Sequence, residues 1–294
     1  LLVMELFQEM QQKCMAPDKV TYVCVLRACN CIETRGLDYL IHDKFIRSGI
    51  HFDTILGNTL IDIYAKCGKL TDAYKVFNYT PSRDAVTWSA IISGYAQHGH
   101  GHQTFKLIDM MKHQGIKPDP PMFLCVLKAC SRNLCLREGR MVHQLIIVER
   151  FERDISIGNA LVDMYAKCGS LNEAELMFEM LPVRDKVSWS AIIAGYCHQG
   201  LGFVALEFFY RMQKEDVMVD KITLTSILKA CALTESLYQG MIIHDQIVRK
   251  DLNSDLVVGN ALVDLYAKCA SLEQAYKVFE SLPKRDTITW GAMV

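Results

Sequence analysis

The phrase GNTLIDIYAKCGKLTDA at Gly57–Ala73 returns as GNALVDMYAKCGSLNEA at Gly158–Ala174 and as GNALVDLYAKCASLEQA at Gly259–Ala275, with a spacing of 101 residues each time. A period that holds to the residue over such a distance demands a repeat array, in which each unit buries its apolar face against its neighbours rather than in one central core. Each copy reads as helix, tight turn, helix. In the middle copy Ile157, Leu161, Met164, Tyr165 and Cys168 recur at intervals of three and four and share one helical face. Gly169 fits the left-handed position that ends a helix, and Ser170 with Glu173 has the spacing of a capping box that opens the next one. Leu171, Ala174, Met177 and Phe178 supply the apolar side of that second helix, which Pro182 closes. In the third copy Ala270 replaces the glycine, and because an alanine at positive φ costs about 1 kcal/mol, a differently built turn is expected there.

Composition narrows the class further. Hydrophobic residues make up 51% of the 294, enough for continuous burial between stacked helices. The 32 basic and 33 acidic residues nearly cancel, which excludes attachment to nucleic acid or membrane by bulk charge and leaves room for a local basic groove. The 12 cysteines follow the repeat: Cys67, Cys168 and Cys269 hold one position, and Cys29, Cys130 and Cys231 another. That pattern predicts small buried packing residues of a reduced compartment rather than a disulfide framework. No C-x-x-C is present to suggest zinc, and no apolar run approaches the ~20 residues that span a bilayer. Neither end shows a targeting segment; Leu1 and Val294 both fall inside helical patterns, as if the chain were cut from a longer protein.

The whole chain parses on the same ruler. After a partial repeat at 1–18 come 19–53, 54–84, 85–119, 120–154, 155–185, 186–220, 221–255 and 256–286, followed by a stub at 287–294. Lengths cycle as 35, 31 and 35. Repeats of the first kind contain VLRAC, VLKAC or ILKAC, those of 31 residues contain YAKC, and those of the third kind contain TWSAIISGYAQHG, SWSAIIAGYCHQG or the truncated ITWGAMV. Each supplies two amphipathic helices of about three turns, and β-branched residues fall at helical spacing. The expected fold is all-α, a right-handed superhelix of stacked helical hairpins forming one solenoid over residues 1–294.

These lengths, the YAKCG and WSAIISGYAQHG phrases, and the Pro-Asp endings at Pro17-Asp18 and Pro118-Asp119 resemble pentatricopeptide repeats of the plant PLS subclass. On that resemblance 19–53, 120–154 and 221–255 are L repeats, 54–84, 155–185 and 256–286 are S repeats, and 85–119 and 186–220 are P repeats, with partial P repeats at both ends. The resemblance implies sequence-specific binding of single-stranded RNA in mitochondria or plastids, most often to select cytidines for C-to-U editing, without a cofactor. The expected partners are organellar RNA and a deaminase, either carboxyl-terminal to this stretch or in trans, with other editing factors and no membrane. The chain itself is not expected to be an enzyme, since it contains neither H-x-E nor P-C-x-x-C, the zinc deaminase signature.

In this family each base is read by the fifth and last residues of one repeat. Here the fifth residues are Val23, Asn58, Ser89, Leu124, Asn159, Ser190, Thr225 and Asn260, and the last residues are Asp53, Asp84, Asp119, Asp154, Asp185, Asp220, Asp255 and Asp286. An asparagine amide offers a donor beside an acceptor, which matches O4 and N3–H of uracil. Serine leaves room for a purine, and its partner aspartate accepts from the ring N–H of guanine, which adenine lacks. Thr225 with Asp255 stays open between guanine and no preference. Read amino to carboxyl as 5′ to 3′, the expected pattern is N-U-G-N-U-G-N-U. The second residues, Val20, Ile55, Val86, Pro121, Ser156, Val187, Ile222 and Val257, are expected to wedge against bases, with Ile55, Val86, Val187 and Val257 the aliphatic examples to rely on. Lys66, Lys167 and Lys268 at position thirteen of the S repeats, and Arg132, are candidates for phosphate contact.

Other roles compete for the same residues. An aspartate just before a helix is a favoured N-cap, and the asparagines could serve as satisfied polar groups between hairpins. Trp88, Trp189 and Trp290 suit hairpin core better than a stacking platform. His98, His100 and His102 in HGHGH suit a solvated loop better than a metal site, while His42, His143 and His244 recur as packed or capping residues. The alternative function is a helical scaffold that takes a protein segment in its groove.

Overall fold

A computed structural model describes residues 2–13, 15–18, 20–22, 24, 25, 28 and 53–293. Val23, Cys29 and His42 lie outside them. The helices are α1 (Leu2–Gln12), α2 (Thr54–Lys66), α3 (Leu70–Tyr79), α4 (Ala85–Gln97), α5 (Gly101–His113) and α6 (Pro120–Asn133). They continue as α7 (Leu136–Val148), α8 (Ile155–Lys167), α9 (Leu171–Met180), α10 (Lys186–His198), α11 (Gly202–Lys214) and α12 (Lys221–Leu233). The last are α13 (Leu237–Arg249), α14 (Leu256–Lys268), α15 (Leu272–Ser281) and α16 (Thr287–Met293). None of the described helices is long and apolar enough to cross a membrane.

Aspartate starts the first helix of each hairpin. From Asp53 before α2 to Asp286 before α16, the residue preceding α2, α4, α6, α8, α10, α12, α14 and α16 is Asp, and its carboxylate accepts a backbone N–H of the first turn. One of the four orphan donors of every such helix is thereby met. The turn that follows is closed by a residue in the left-handed region, Gly68, Gly99, Gly169 and Gly200 among them (φ 73 to 79°). Ala270 sits at φ 55°. Contrary to expectation its turn is not built differently: Ala270 N–H donates to Ala267 and Ser271 N–H to Tyr266, as Gly169 and Ser170 donate to Ala166 and Tyr165. The paired hydrogen bonds hold the alanine in a conformation it would otherwise avoid.

The expected capping box at Ser170 and Glu173 is replaced by another arrangement. Ser170 N–H is already spent on Tyr165, so its hydroxyl donates to the Glu173 carboxylate instead. Glu173 also takes two bonds from the Arg140 guanidinium of α7, at 3.0 and 2.8 Å. Its carboxyl is held below the usual range, first by that arginine, with burial opposing.

Why one repeat in three is shorter can be read from its second helix. Helices α3, α9 and α15 have 10 residues where α5, α11 and α13 have 13. They end on Thr80, Leu181 and Leu282 in extended backbone, and an arginine then folds back over the last turn. Arg83, Arg184 and Arg285 each donate from Nε to the carbonyl of a phenylalanine six residues earlier and stack on its ring, at 4.9, 5.4 and 4.7 Å from the centroid. A cation at a helix C-terminus and over an aromatic face is favourable twice.

By contacts the chain forms two compact parts, 1–133 and 134–294. In the first, α2, α4 and α6 pack side by side as an inner row, with α3 and α5 outside. In the second, α8, α10, α12, α14 and α16 form the row, and α9, α11, α13 and α15 each lean on their own first helix and on the next. Gly94 and Gly195 let the rows close up: a Cβ on either would run into Ala65 or Ala166 of the preceding first helix. Trp88 and Trp189 are wholly buried, with edges against Phe77 and Phe178 at 4.7 Å between centroids. Trp290 keeps the same contact with Phe279 at 4.8 Å and is 56% exposed.

The cysteines divide by position. Cys130 and Cys231 are buried in first helices, whereas Cys67 is exposed and Cys168 and Cys269 are half-buried. The latter three cap their helices at the rim of the turn, so burial was the wrong expectation for that set.

Candidate nucleic-acid interface

The second and fifth residues of each first helix lie one turn apart and therefore on one face. The second residues project into solvent: Ile55, Val86, Val187, Ile222 and Val257 are all at least half exposed, and Pro121 and Ser156 are exposed too. The fifth residues sit lower. Asn58, Ser89, Leu124, Thr225 and Asn260 are half-buried, and Asn159 and Ser190 are buried. Around α12, α14 and α16 these positions enclose a cleft of about 630 Å³ lined by Thr225, Val257, Asn260, Asp264, Asp286 and Ile288, among others.

Each asparagine or serine at the fifth position is tied to the aspartate that begins the next hairpin. Asn58, Asn159 and Asn260 donate from Nδ2 to Oδ1 of Asp84, Asp185 and Asp286 at 3.5, 3.1 and 3.1 Å. Ser89 Oγ lies 3.3 Å from Asp119 Oδ1 and Ser190 Oγ 3.4 Å from Asp220 Oδ1. The same Oδ1 caps the helix in every case. Among the described residues, Oδ2 of Asp84, Asp119, Asp185, Asp220 and Asp286 has no hydrogen-bond partner. Capping and ligand recognition therefore need not compete, since one oxygen serves the fold and the other stays free. Asp84 and Asp286 are held below the ordinary carboxylate range: at Asp84 the bonds from Thr87 and Asn58 outweigh the opposing burial, and at Asp286 the bonds from Thr289 dominate.

Orientation of the asparagines departs from the sequence reading. Oδ1 of Asn58 and of Asn159 is buried without a partner, and Oδ1 of Asn260 lies 2.6 Å from Thr289 Oγ1, whose one proton is shared between it and Asp286 Oδ1. The amide carbonyl thus faces inward, because Nδ2 must face the aspartate. What each pair offers a ligand is the second amide N–H together with Asp Oδ2, still a donor beside an acceptor, with the acceptor on the other residue.

Sequence reasoning missed a third member of this arrangement. Thr87, Thr223 and Thr289, the third residues of α4, α12 and α16, are fully buried and donate from Oγ1 to the same Oδ1 at 2.8, 2.9 and 2.8 Å. Ser188 occupies the matching place in α10 and donates to the Asp185 carbonyl at 2.8 Å. The hydroxyl recurring three residues after the aspartate, at capping-box spacing, was the available signal.

The lysines named for phosphate contact are paired. Lys66, Lys167 and Lys268 bond to Asp62, Asp163 and Asp264 four residues earlier at 2.6, 2.8 and 2.8 Å; such exposed pairs are worth about 0.3–0.5 kcal/mol and break readily. Of the HGHGH histidines, His98 Nε2 bonds to the Ala65 carbonyl at 2.8 Å, and His100 meets the Tyr95 ring. His143 and His244 bond through Nδ1 to Tyr165 and Tyr266 Oη at 2.9 and 2.7 Å.

Stacked helical hairpins, with the first helices packed in a row within each part, define an α-solenoid repeat protein. The chain belongs to the pentatricopeptide repeat family: the PPR repeat family model matches residues 83–132 and 184–232, and the PPR repeat model matches 58–81, 159–185 and 260–286. A chloroplastic pentatricopeptide repeat-containing protein of Arabidopsis thaliana is 35% identical over 278 residues, covering 95% of this chain and 45% of that protein. A mitochondrial one from the same plant is 34% identical over 293 residues, covering 100% of this chain and 28% of that protein. The chain thus spans less than half of these curated relatives. Among solved structures, the pentatricopeptide repeat protein PPR10 in complex with an 18-nt psaJ RNA element aligns over 99% of this chain and 44% of its own, with a TM-score of 0.74 at 19% identity.

Proposed function

We propose that this chain binds single-stranded RNA, one nucleotide per hairpin, along the row of fifth residues. The observation that carries this reading is the division of labour in the aspartates, whose Oδ1 is used by the fold while Oδ2 stays available beside a polar fifth residue. PPR10, similar in fold, was solved with RNA. Asn58–Asp84, Asn159–Asp185 and Asn260–Asp286 select uracil, the amide N–H meeting a carbonyl oxygen and Asp Oδ2 accepting N3–H. Ser89–Asp119 and Ser190–Asp220 select guanine, whose ring N–H the carboxylate accepts; adenine presents a lone pair there and is repelled. Leu124 donates nothing, and its position discriminates little. The exposed Ile55, Val86, Val187 and Val257 pack against base faces, and Lys66, Lys167 and Lys268 contact phosphate by releasing their aspartates, each adding about 0.7 to the salt slope.

The repeat lengths support a reading of the chain as a PLS-subclass array that acts in a mitochondrion or plastid and directs C-to-U editing by a deaminase in the remainder of the protein or in trans. Binding of RNA carrying N-U-G-N-U-G-N-U, compared with the same RNA after exchange of every U and G, tests the assignment. The expected result is at least about a hundredfold loss on exchange, since several positions each contribute about 1 kcal/mol or more. Equal affinity for both RNAs overturns it, and binding of a peptide in their place favours the scaffold alternative.

A further inference from the structure

Asp255, the last residue of its repeat, breaks the pattern of free Oδ2 atoms. Its Oδ1 accepts the N–H groups of Val257 and Val258 at 3.0 and 3.2 Å, as an N-cap should. Its Oδ2 is bonded to Lys221 Nζ at 2.5 Å, across 34 residues of chain, from the first position of α12. Thr225, the fifth residue, is turned away: its hydroxyl donates to the Ile222 carbonyl at 2.9 Å. Among the described residues no hydrogen bond joins Thr225 to Asp255.

The cause is local. The third residue of α14 is Val258, so the buried hydroxyl that binds the carboxylate at Asp84, Asp220 and Asp286 is missing here. With neither a third-residue nor a fifth-residue hydroxyl on it, the carboxylate is open to a cation. Lys186 holds the same first position in α10, yet among the described residues no ion pair joins it to Asp220, whose surroundings are filled by Ser190 and Thr223 Oγ1 at 2.7 Å from each other. The Lys221 bond is also the leading reason that the Asp255 carboxyl is held low, ahead of the opposing desolvation.

We propose that Lys221 makes the seventh nucleotide position permissive by occupying Oδ2 of Asp255, the acceptor that would otherwise select guanine through its ring N–H. The lysine removes selectivity in two ways. It fills the lone pairs that would accept from guanine, and it cancels the negative charge that would repel the ring nitrogen of adenine. This inference rests on the base-reading assignment above. It turns the threonine–aspartate pair, left open between guanine and no preference, into a definite expectation.

The experiment measures affinity of the whole 294-residue chain for RNAs varied to all four bases at the seventh nucleotide, and separately at the sixth, which faces Ser190–Asp220. For the unaltered protein the seventh position varies less than about threefold while guanine is favoured at the sixth by about tenfold. Lys221→Met and Lys221→Gln each gain about a tenfold preference for guanine over adenine at the seventh position, and Lys221→Arg, which keeps the ion pair, stays flat. The pair is partly exposed, with side-chain exposures of 42% and 29%, so its loss leaves the thermal midpoint nearly unchanged. Guanine selectivity at the seventh position in the unaltered protein, or none in the Met and Gln variants while the sixth remains selective, overturns the role of Lys221. Absence of selectivity at the sixth position overturns the base-reading assignment and this inference with it.

Discussion

At the residue scale the two oxygens of one carboxylate are not equivalent, which is what lets the proposed reading assign a second role to a helix cap. Asp185 Oδ1 takes the Val187 and Ser188 N–H groups and the Asn159 amide. Such aspartates are helix caps, and that role leaves Oδ2 available for the proposed base reading. Ala270 shows the opposite economy, a residue held where it is strained by the two backbone bonds around it. Ala270→Gly is expected to stabilise the chain by about 1 kcal/mol, read as a higher midpoint in denaturant with unchanged slope. The aspartates were legible as helix starts from their place before each apolar run, whereas the asparagines were singled out only by the resemblance to the family. The conformation of Ala270 was not legible, because propensity argued against it and only the surrounding turn bonds impose it. Nor was the Lys221–Asp255 bond, which joins residues far apart in sequence and depends on what Val258 lacks.

Among elements, the joint between a second helix and the next first helix carries a titratable pair. His143 of α7 meets Tyr165 of α8, and His244 of α13 meets Tyr266 of α14, with ring centroids 5.7 and 5.6 Å apart. Burial lowers both histidines below their ordinary value of 6.5, against an opposing pull from Glu173 at His143 and from Asp245 at His244. The folded chain thus holds these rings neutral where the unfolded chain would protonate them. Their contribution is complete above pH 6.5 and is lost as pH falls through the lowered folded values. The thermal midpoint is expected to drop on acidification from about pH 7.5 toward pH 5, and the double variant His143→Gln, His244→Gln to show a shallower fall in that window. A slope identical in both proteins would assign the effect elsewhere. Helix positions were readable because the 3.6-residue periodicity and the Asp starts agree; the exposure of Cys67 and the inward-facing asparagine carbonyls were not, since period alone cannot rank positions around a turn.

For the whole molecule, a net formal charge of −1 means that the proposed RNA affinity would come from many spaced contacts rather than from a charged surface. The repeat supplies that spacing, with a polar pair at each asparagine or serine position, and the 31-residue repeats close with a shorter second helix and its arginine fold-back. On the proposed reading specificity resides in single side chains, and a single change should move a single letter. The most direct measurement is the affinity of Asn159→Ser for RNAs that differ only at the fifth nucleotide. Preference should turn from uracil to guanine by about tenfold in each direction, with the sixth position unchanged. An unaltered preference at the fifth nucleotide, or a loss spread over all positions, would contradict the account.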